Sequence, residues 1–271
     1  MEYLQAIVLG AIRGLTEFLP ISSSGHLYVA RELLSWPDQG VLFDAVLHAG
    51  TLLAVLIGMW RSWLDVLKGI ADIFKDRKLA TANSRLAVGL LIATVPAAIA
   101  GYAAQDLVGS FFRTSVSVAI FLGLVGVFFL AVEWIVSKKQ QELTRQPALP
   151  GAVWIGLAQI LALLPGVSRS GITLSAGMLL GLSRASAARF AFLLSGPIIA
   201  GAAAASLLEL NASAAMSVGP LIAGVITAFI FGLAALRGML KFLEKRTLTP
   251  FAVYLVMASI ALLVLSFFRI I

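Results

Sequence analysis

The sequence predicts an all-α polytopic membrane protein, an inverted-topology repeat of six transmembrane helices plus two re-entrant helix hairpins, ten helical segments in total. Three observations predict it. The chain of 271 residues is 60% hydrophobic and 12% charged, and its charges fall between long apolar runs; a soluble domain carries about a quarter charged residues, and a span needs about 20 apolar ones. The sequence matches itself when Ser22, Ser24 and Gly25 are laid on Ser168, Ser170 and Gly171, with Gly10 on Gly156 and Gly50 on Gly196, an internal repeat. Each half opens with an apolar segment broken in its middle by Pro, Gly and Ser.

The first repeat covers 1–136. Its hairpin, 3–36, runs apolar from Ala6 to Leu19, breaks at Pro20-Ile21-Ser22-Ser23-Ser24-Gly25 and resumes to Leu34. Pro removes a helix donor and Gly loosens the backbone. Each arm is about 12 to 15 residues, short of a full crossing. Irregular backbone at membrane depth survives only when buried in protein or facing a wet cavity. Spans follow at 41–60, 86–105 and 114–136. The stretch 137–150, with Lys138, Lys139 and Arg145, reads as a solvated cytoplasmic linker. The second repeat covers 151–271. Its hairpin, 151–182, breaks at Pro165-Gly166-Val167-Ser168-Arg169-Ser170-Gly171, and its spans lie at 187–208, 217–240 and 250–270.

Cations orient the bundle. The loop read after the first span holds Arg61, Lys68, Lys75, Arg77, Lys78 and Arg85, which places it inside. Threading outward then puts Arg184, Arg189, Lys241, Lys245 and Arg246 inside, and Asp106 and Glu209 outside. An odd number of spans per half inverts the second repeat, and both termini lie outside. The net charge of +7 is thereby explained by loops, and no nucleic-acid partner is expected. The chain has no cysteine, so disulfides and thiolate chemistry are excluded. No cleaved signal peptide is expected, because the first apolar segment carries Arg13 and Glu17. Trp36, Trp60 and Trp63 read as interface anchors, Ala200 to Ala205 as close helix packing, and His48, in an apolar stretch, as packing.

Inverted repeats with broken helices place their substrate site near the midplane. Ser22 and Ser168 are N-cap candidates for the second arm of each hairpin, so both arms aim free N–H groups and a positive dipole end at the centre. Two such ends favour phosphate, and Arg169 adds a planar guanidinium suited to phosphate oxygens. Charged residues at that depth are costly and are functional candidates; Arg13, Glu17, His26 and Arg169 are all of that kind. Simple pairing among them to hold the hairpins is the plainer alternative. The first break supplies a hydroxyl (Ser22, Ser23, Ser24), an imidazole (His26) and a carboxylate (Glu17), the parts of an activated nucleophile. The second supplies Arg169 with Ser168, Ser170 and Thr173, an electrostatic clamp for phosphoryl charge. A transporter or flippase of a phosphorylated isoprenoid lipid would look much the same, and a purely structural subunit would tolerate substitution at both breaks.

At these residues the chain resembles the undecaprenyl-diphosphate phosphatases, or bacitracin resistance proteins. Leu15 to His26 is similar to that family's first motif and Pro165 to Thr173 to its second, and the likeness runs over essentially the whole chain. It implies hydrolysis of a 55-carbon isoprenoid diphosphate to the monophosphate that carries peptidoglycan precursors, hence bacitracin resistance, in a bacterial inner membrane with the site open to the outer face. It implies Ser23, His26, Glu17 and Arg169 as catalytic, Ser22, Ser168, Ser170 and Thr173 around the substrate phosphate, and stimulation by a divalent cation, Mg²⁺ or Ca²⁺, held by Glu17 and mostly by substrate oxygens; Arg13, from its own charge, either pairs with Glu17 or adds to the phosphate clamp. The partners implied are that lipid substrate and membrane lipid, with a homodimer left open. One position departs from the family pattern: Arg13 stands where Glu or Gln is usual, which puts a paired-carboxylate metal site in doubt.

Overall fold

A computed structural model describes residues 3–76, 79–111, 114–138, 144, 146–208 and 218–268. Arg77, Lys78, Lys139, Arg145 and Glu209 lie outside the described residues. Among the described residues the fold is all α, with eleven α-helices and no strand beyond one isolated bridge, Thr144 to Leu182.

The first hairpin is α1 (Tyr3–Phe18) and α2 (Ser23–Leu33). Pro20 lacks an N–H and pushes the residue before it out of helical geometry, so α1 stops at Phe18. α2 restarts on Ser22, whose side chain accepts from the Gly25 N–H at 3.4 Å and whose φ is 71°. A serine in that left-handed region costs of order 1–3 kcal/mol and persists only where its surroundings impose it. The second hairpin appears further along the chain as α7 (Leu149–Ile160), a 3₁₀ turn (Leu161–Leu163) and α8 (Arg169–Leu179). Leu164, just before Pro165, is extended (ψ 128°), and Ser168 accepts from the Gly171 N–H at 3.2 Å. At about 1.5 Å per residue, none of these arms approaches the roughly 30 Å of hydrocarbon.

Between the hairpins lie α3 (Gly40–Gly58), α4 (Trp60–Asp76), α5 (Ala82–Phe111) and α6 (Ser115–Lys138). After them come α9 (Arg184–Leu208), α10 (Val218–Leu243) and α11 (Thr249–Phe267). Among the described residues five stretches are long and apolar enough to cross a membrane: Ala82–Ala103, Ser115–Lys138, Arg184–Ala204, Val218–Leu243 and Thr249–Phe267. Apolar α3 is followed by α4 after a 79° bend, and the two pass the same test only when taken together. The chain is a multi-pass membrane protein.

One expectation needs correcting. Residues 61–76, read from their cations as loop, form the helix α4. Trp60, Trp63, Leu64, Leu67, Ile70 and Phe74 recur at helical spacing, and all but Trp63 are exposed; such a stripe flanked by Arg61, Lys68 and Lys75 suits a helix lying in the interfacial plane. Trp63 itself packs against Gly196 of α9, so it belongs to the bundle interior, as Trp36 belongs to the cluster around Leu9 and Phe43.

Helices cross on small residues, which let backbones approach closely. α1 packs on α10, where a methyl at Gly14 would meet the Gly232 nitrogen at 2.7 Å. α7 packs on α5, where a methyl at Gly156 would meet the Ala93 carbonyl oxygen at 2.7 Å. α6 pairs with α11, and α3 lies against α9 and α10. Buried Glu133 of α6 accepts from Arg184 of α9 and, at 2.7 Å, from the Leu248 N–H at the start of α11, gathering three helix ends at one point.

Candidate active site

The two breaks meet in the interior. Ser23 is the first residue of α2 and Arg169 the first of α8. The first helical bonds run from His26 N–H to Ser22 and from Ile172 N–H to Ser168. With Gly25 and Gly171 capped, the N–H groups of Ser23, Ser24, Arg169 and Ser170 have no helical partner. Across the junction the Ser170 hydroxyl donates to the Leu19 carbonyl at 3.4 Å, and the Arg169 guanidinium donates to Glu17 Oε1.

Glu17 is the centre of the cluster. Its Oε2 accepts from the Ser23 hydroxyl at 2.7 Å and lies 3.6 Å from Arg13 Nη1. Arg13 and Glu17 are one turn apart on α1, so they share a face. Arg13 also donates to Ser23 Oγ at 3.3 Å and lies 3.9 Å from Asp44 on α3. Asp44 is held in turn by a two-pronged contact from Arg31, at 2.6 and 3.3 Å. Arg31 also lies 3.7 Å from Asp38, so three guanidiniums face three carboxylates in this network, and Arg13 Nε is buried without a partner. On the cavity wall itself Arg13 and Arg169 stand beside the one carboxylate of Glu17, and an incoming anion would satisfy their remaining donors.

These groups line a cavity of about 210 Å³. Its polar wall is Arg13, Thr16, Glu17, Ser23, Ser24, His48, Gln159, Ser168, Arg169 and Ser170. Six of the nine residues singled out from sequence therefore converge: Arg13, Glu17, Ser23, Ser168, Arg169 and Ser170. Three stand behind the wall. Ser22 caps α2, and Thr173 donates to the Arg169 carbonyl at 2.8 Å, steadying the turn that carries that residue. His26 points away. Its Nδ1 meets the Ser22 carbonyl at 2.8 Å, and its Nε2 meets the hydroxyl of Tyr254 on α11, whose ring stacks on the imidazole. A carbonyl only accepts, so in the neutral ring Nδ1 carries the hydrogen and Tyr254 donates to Nε2.

Sequence reasoning missed His48, Gln159, Asp44 and Tyr254. Asp44 and His48 sit one turn apart on α3, a spacing that could have flagged both. Gln159 is the repeat mate of Arg13; its amide donates to the Ala93 carbonyl at 3.3 Å, leaving its oxygen buried and unpartnered. No local signal pointed to Tyr254.

The residues present do not fit a resident divalent cation. Both Glu17 oxygens already face cations or a hydroxyl donor, and Arg13 occupies the place of a second acid. Among the described residues no three His, Asp or Glu side chains gather as ligands would, whereas such cations take several oxygens.

A membrane-embedded helical bundle that bonds a serine to a carboxylate beside two guanidiniums belongs to the class of integral membrane proteins with a cationic, hydroxyl-lined interior cavity. The chain belongs to the bacitracin resistance protein BacA family, whose model matches residues 6–261. Among its relatives are undecaprenyl-diphosphatases. That of Alcanivorax borkumensis is 39% identical over 266 residues, covering 97% of this chain and 98% of the relative. That of Thermodesulfovibrio yellowstonii is 40% identical, covering 99% of each, and that of Geobacter sulfurreducens 40% identical over 273 residues, covering 99% and 100%.

Proposed function

We propose that this protein is an undecaprenyl-diphosphatase, hydrolysing the lipid diphosphate to the monophosphate carrier and inorganic phosphate. The observation that carries the reading is the Ser23 hydroxyl bonded to Glu17 at 2.7 Å on the wall of a cavity that Arg13 and Arg169 also line. The isoprenoid tail stays in lipid while the diphosphate enters between the hairpins. Arg169, Arg13 and the free N–H groups at the starts of α2 and α8 bind the terminal phosphate and neutralise charge on its oxygens. Ser23 Oγ attacks the terminal phosphorus in line. The bond from that phosphorus to the bridging oxygen breaks, the lipid monophosphate leaves, and the serine proton passes to Glu17 Oε2. Water then attacks the phosphoserine, and the serine oxygen recovers its proton from Glu17.

Ser168, Ser170 and Thr173 shape the clamp, and Ser22 and His26 fix the backbone that presents Ser23. No step requires a metal ion held by the protein. We place the protein in the bacterial inner membrane with the cavity open to the outer face. Support comes from the cations at the helix ends, Lys138, Arg184 and Arg246, which the sequence threading puts on one side; Arg184 is held there by Glu133. The two halves are read as inverted copies, because α1 on α10 and α7 on α5 exchange places when the halves are exchanged.

Purified protein in detergent, which has no second compartment, tests the reaction. It should release phosphate from an isoprenoid diphosphate, and Ser23→Ala and Arg169→Ala should each lower the rate by roughly 10³-fold or more. Undiminished release by either variant, or none from the parent protein, sinks the proposal and leaves lipid transport as the reading to pursue.

A further inference from the structure

We infer that His48 is the base that activates the water releasing phosphate from Ser23, a role that rests on the serine reading above. His48 lies on α3 and lines the cavity. Its ring is oriented by two contacts. Thr51 Oγ1 gives its one hydrogen to the His48 carbonyl at 2.9 Å, so at 3.4 Å from Nδ1 it can only accept. Nδ1 therefore carries the hydrogen of the neutral ring. Glu17 Oε2 lies 3.9 Å from the same nitrogen and stabilises positive charge there. Nε2 is left with a bare lone pair and, among the described residues, no hydrogen-bond partner.

The other candidate bases are engaged. Glu17 takes the serine proton in the first half of the reaction and cannot take a second. His26 has both nitrogens bonded and lies off the cavity. In the second half the water oxygen bonds to phosphorus as the bond from phosphorus to Ser23 Oγ breaks. One water proton goes to His48 Nε2, and Glu17 returns its proton to Ser23. Ser23 Oγ and His48 Nδ1 lie 2.7 and 3.9 Å from Glu17 Oε2, so nucleophile and base line one cavity.

The test uses the purified full chain and an isoprenoid diphosphate labelled in its terminal phosphate, quenched on the millisecond scale. His48→Gln should slow turnover by about 10²-fold or more. It should still release one equivalent of lipid monophosphate in the first turnover and accumulate label on Ser23, stable to acid and labile to alkali. His48→Ala should regain activity with added imidazole. Parent-like turnover by His48→Gln overturns the inference. So does slow turnover with neither labelled protein nor imidazole rescue, because His48 would then only be packing. A Ser23→Ala variant that still turns over, or label on a histidine, removes the serine reading instead.

Discussion

Glu17→Gln separates the two duties of the carboxylate. In the protein Glu17 is nearly buried, its oxygens shared among Arg169, Arg13 and Ser23. The amide keeps the shape and one acceptor but removes the charge between two guanidiniums. Breaking a buried ion pair from one side costs about 3–5 kcal/mol, so the empty variant should unfold at a lower temperature. An anion in the cavity would now meet guanidiniums that no carboxylate occupies. A charge-assisted hydrogen bond is worth about 1.5–3 kcal/mol and each 1.4 kcal/mol is tenfold in affinity, so a non-hydrolysable isoprenoid diphosphonate should bind about tenfold tighter. Turnover should fall by roughly 10²–10⁴ because Ser23 loses its proton acceptor. Calorimetric titration, thermal unfolding with and without the diphosphonate, and phosphate release read the three effects. Weaker diphosphonate binding, or turnover near that of the parent, would refute the view that Glu17 both competes with phosphate and takes the serine proton.

Arg169→Lys keeps the charge but loses the planar fork; kcat/KM should drop more than tenfold in the same phosphate assay. Tyr254→Phe removes one hydroxyl from His26 and nothing from the cavity, so kcat should change less than fivefold. A larger loss would assign His26 a part in chemistry. Gly14→Ala drives a methyl into the Gly232 backbone; overpacking of this kind costs about 1–3 kcal/mol, read as a lower unfolding temperature with the activity of the folded fraction retained. Glu133→Ala leaves Arg184 and the Leu248 N–H unpartnered. It should destabilise by about 3 kcal/mol while KM stays constant.

Both breaks were legible because their causes are local. Pro20 and Pro165 stand beside serine and glycine, unlike Pro96 and Pro197, which α5 and α9 carry inside them, and Ser22 and Ser168 cap the next helix through a hydroxyl three residues from the amide it serves. The convergence of Glu17, Ser23 and Arg169 was inferable because the internal repeat gives each half an equivalent break, and the structure brings the two breaks together. α4 was misread because its cations were counted without testing the apolar residues between them for helical spacing. His48 was hidden by its neighbours: in an apolar run a lone imidazole reads as filler until Asp44, one turn earlier, is seen on the same face. His26 shows the opposite limit. It stands three residues from Ser23, yet the rotation of α2 hands its ring to Tyr254, a partner 228 residues away that no spacing rule connects to it.

The crossed packing of the hairpins bears on how the protein is made. α1 emerges first from the ribosome, but the helix it seats on, α10, is more than two hundred residues behind it. Until α10 is inserted, the Gly10 and Gly14 face of α1 must be covered by lipid or by the insertion machinery. The second hairpin has no such wait, since α5 is already in place when α7 arrives. Assembly is therefore lopsided even though the packing pairs match, and the break that carries Ser23 closes last.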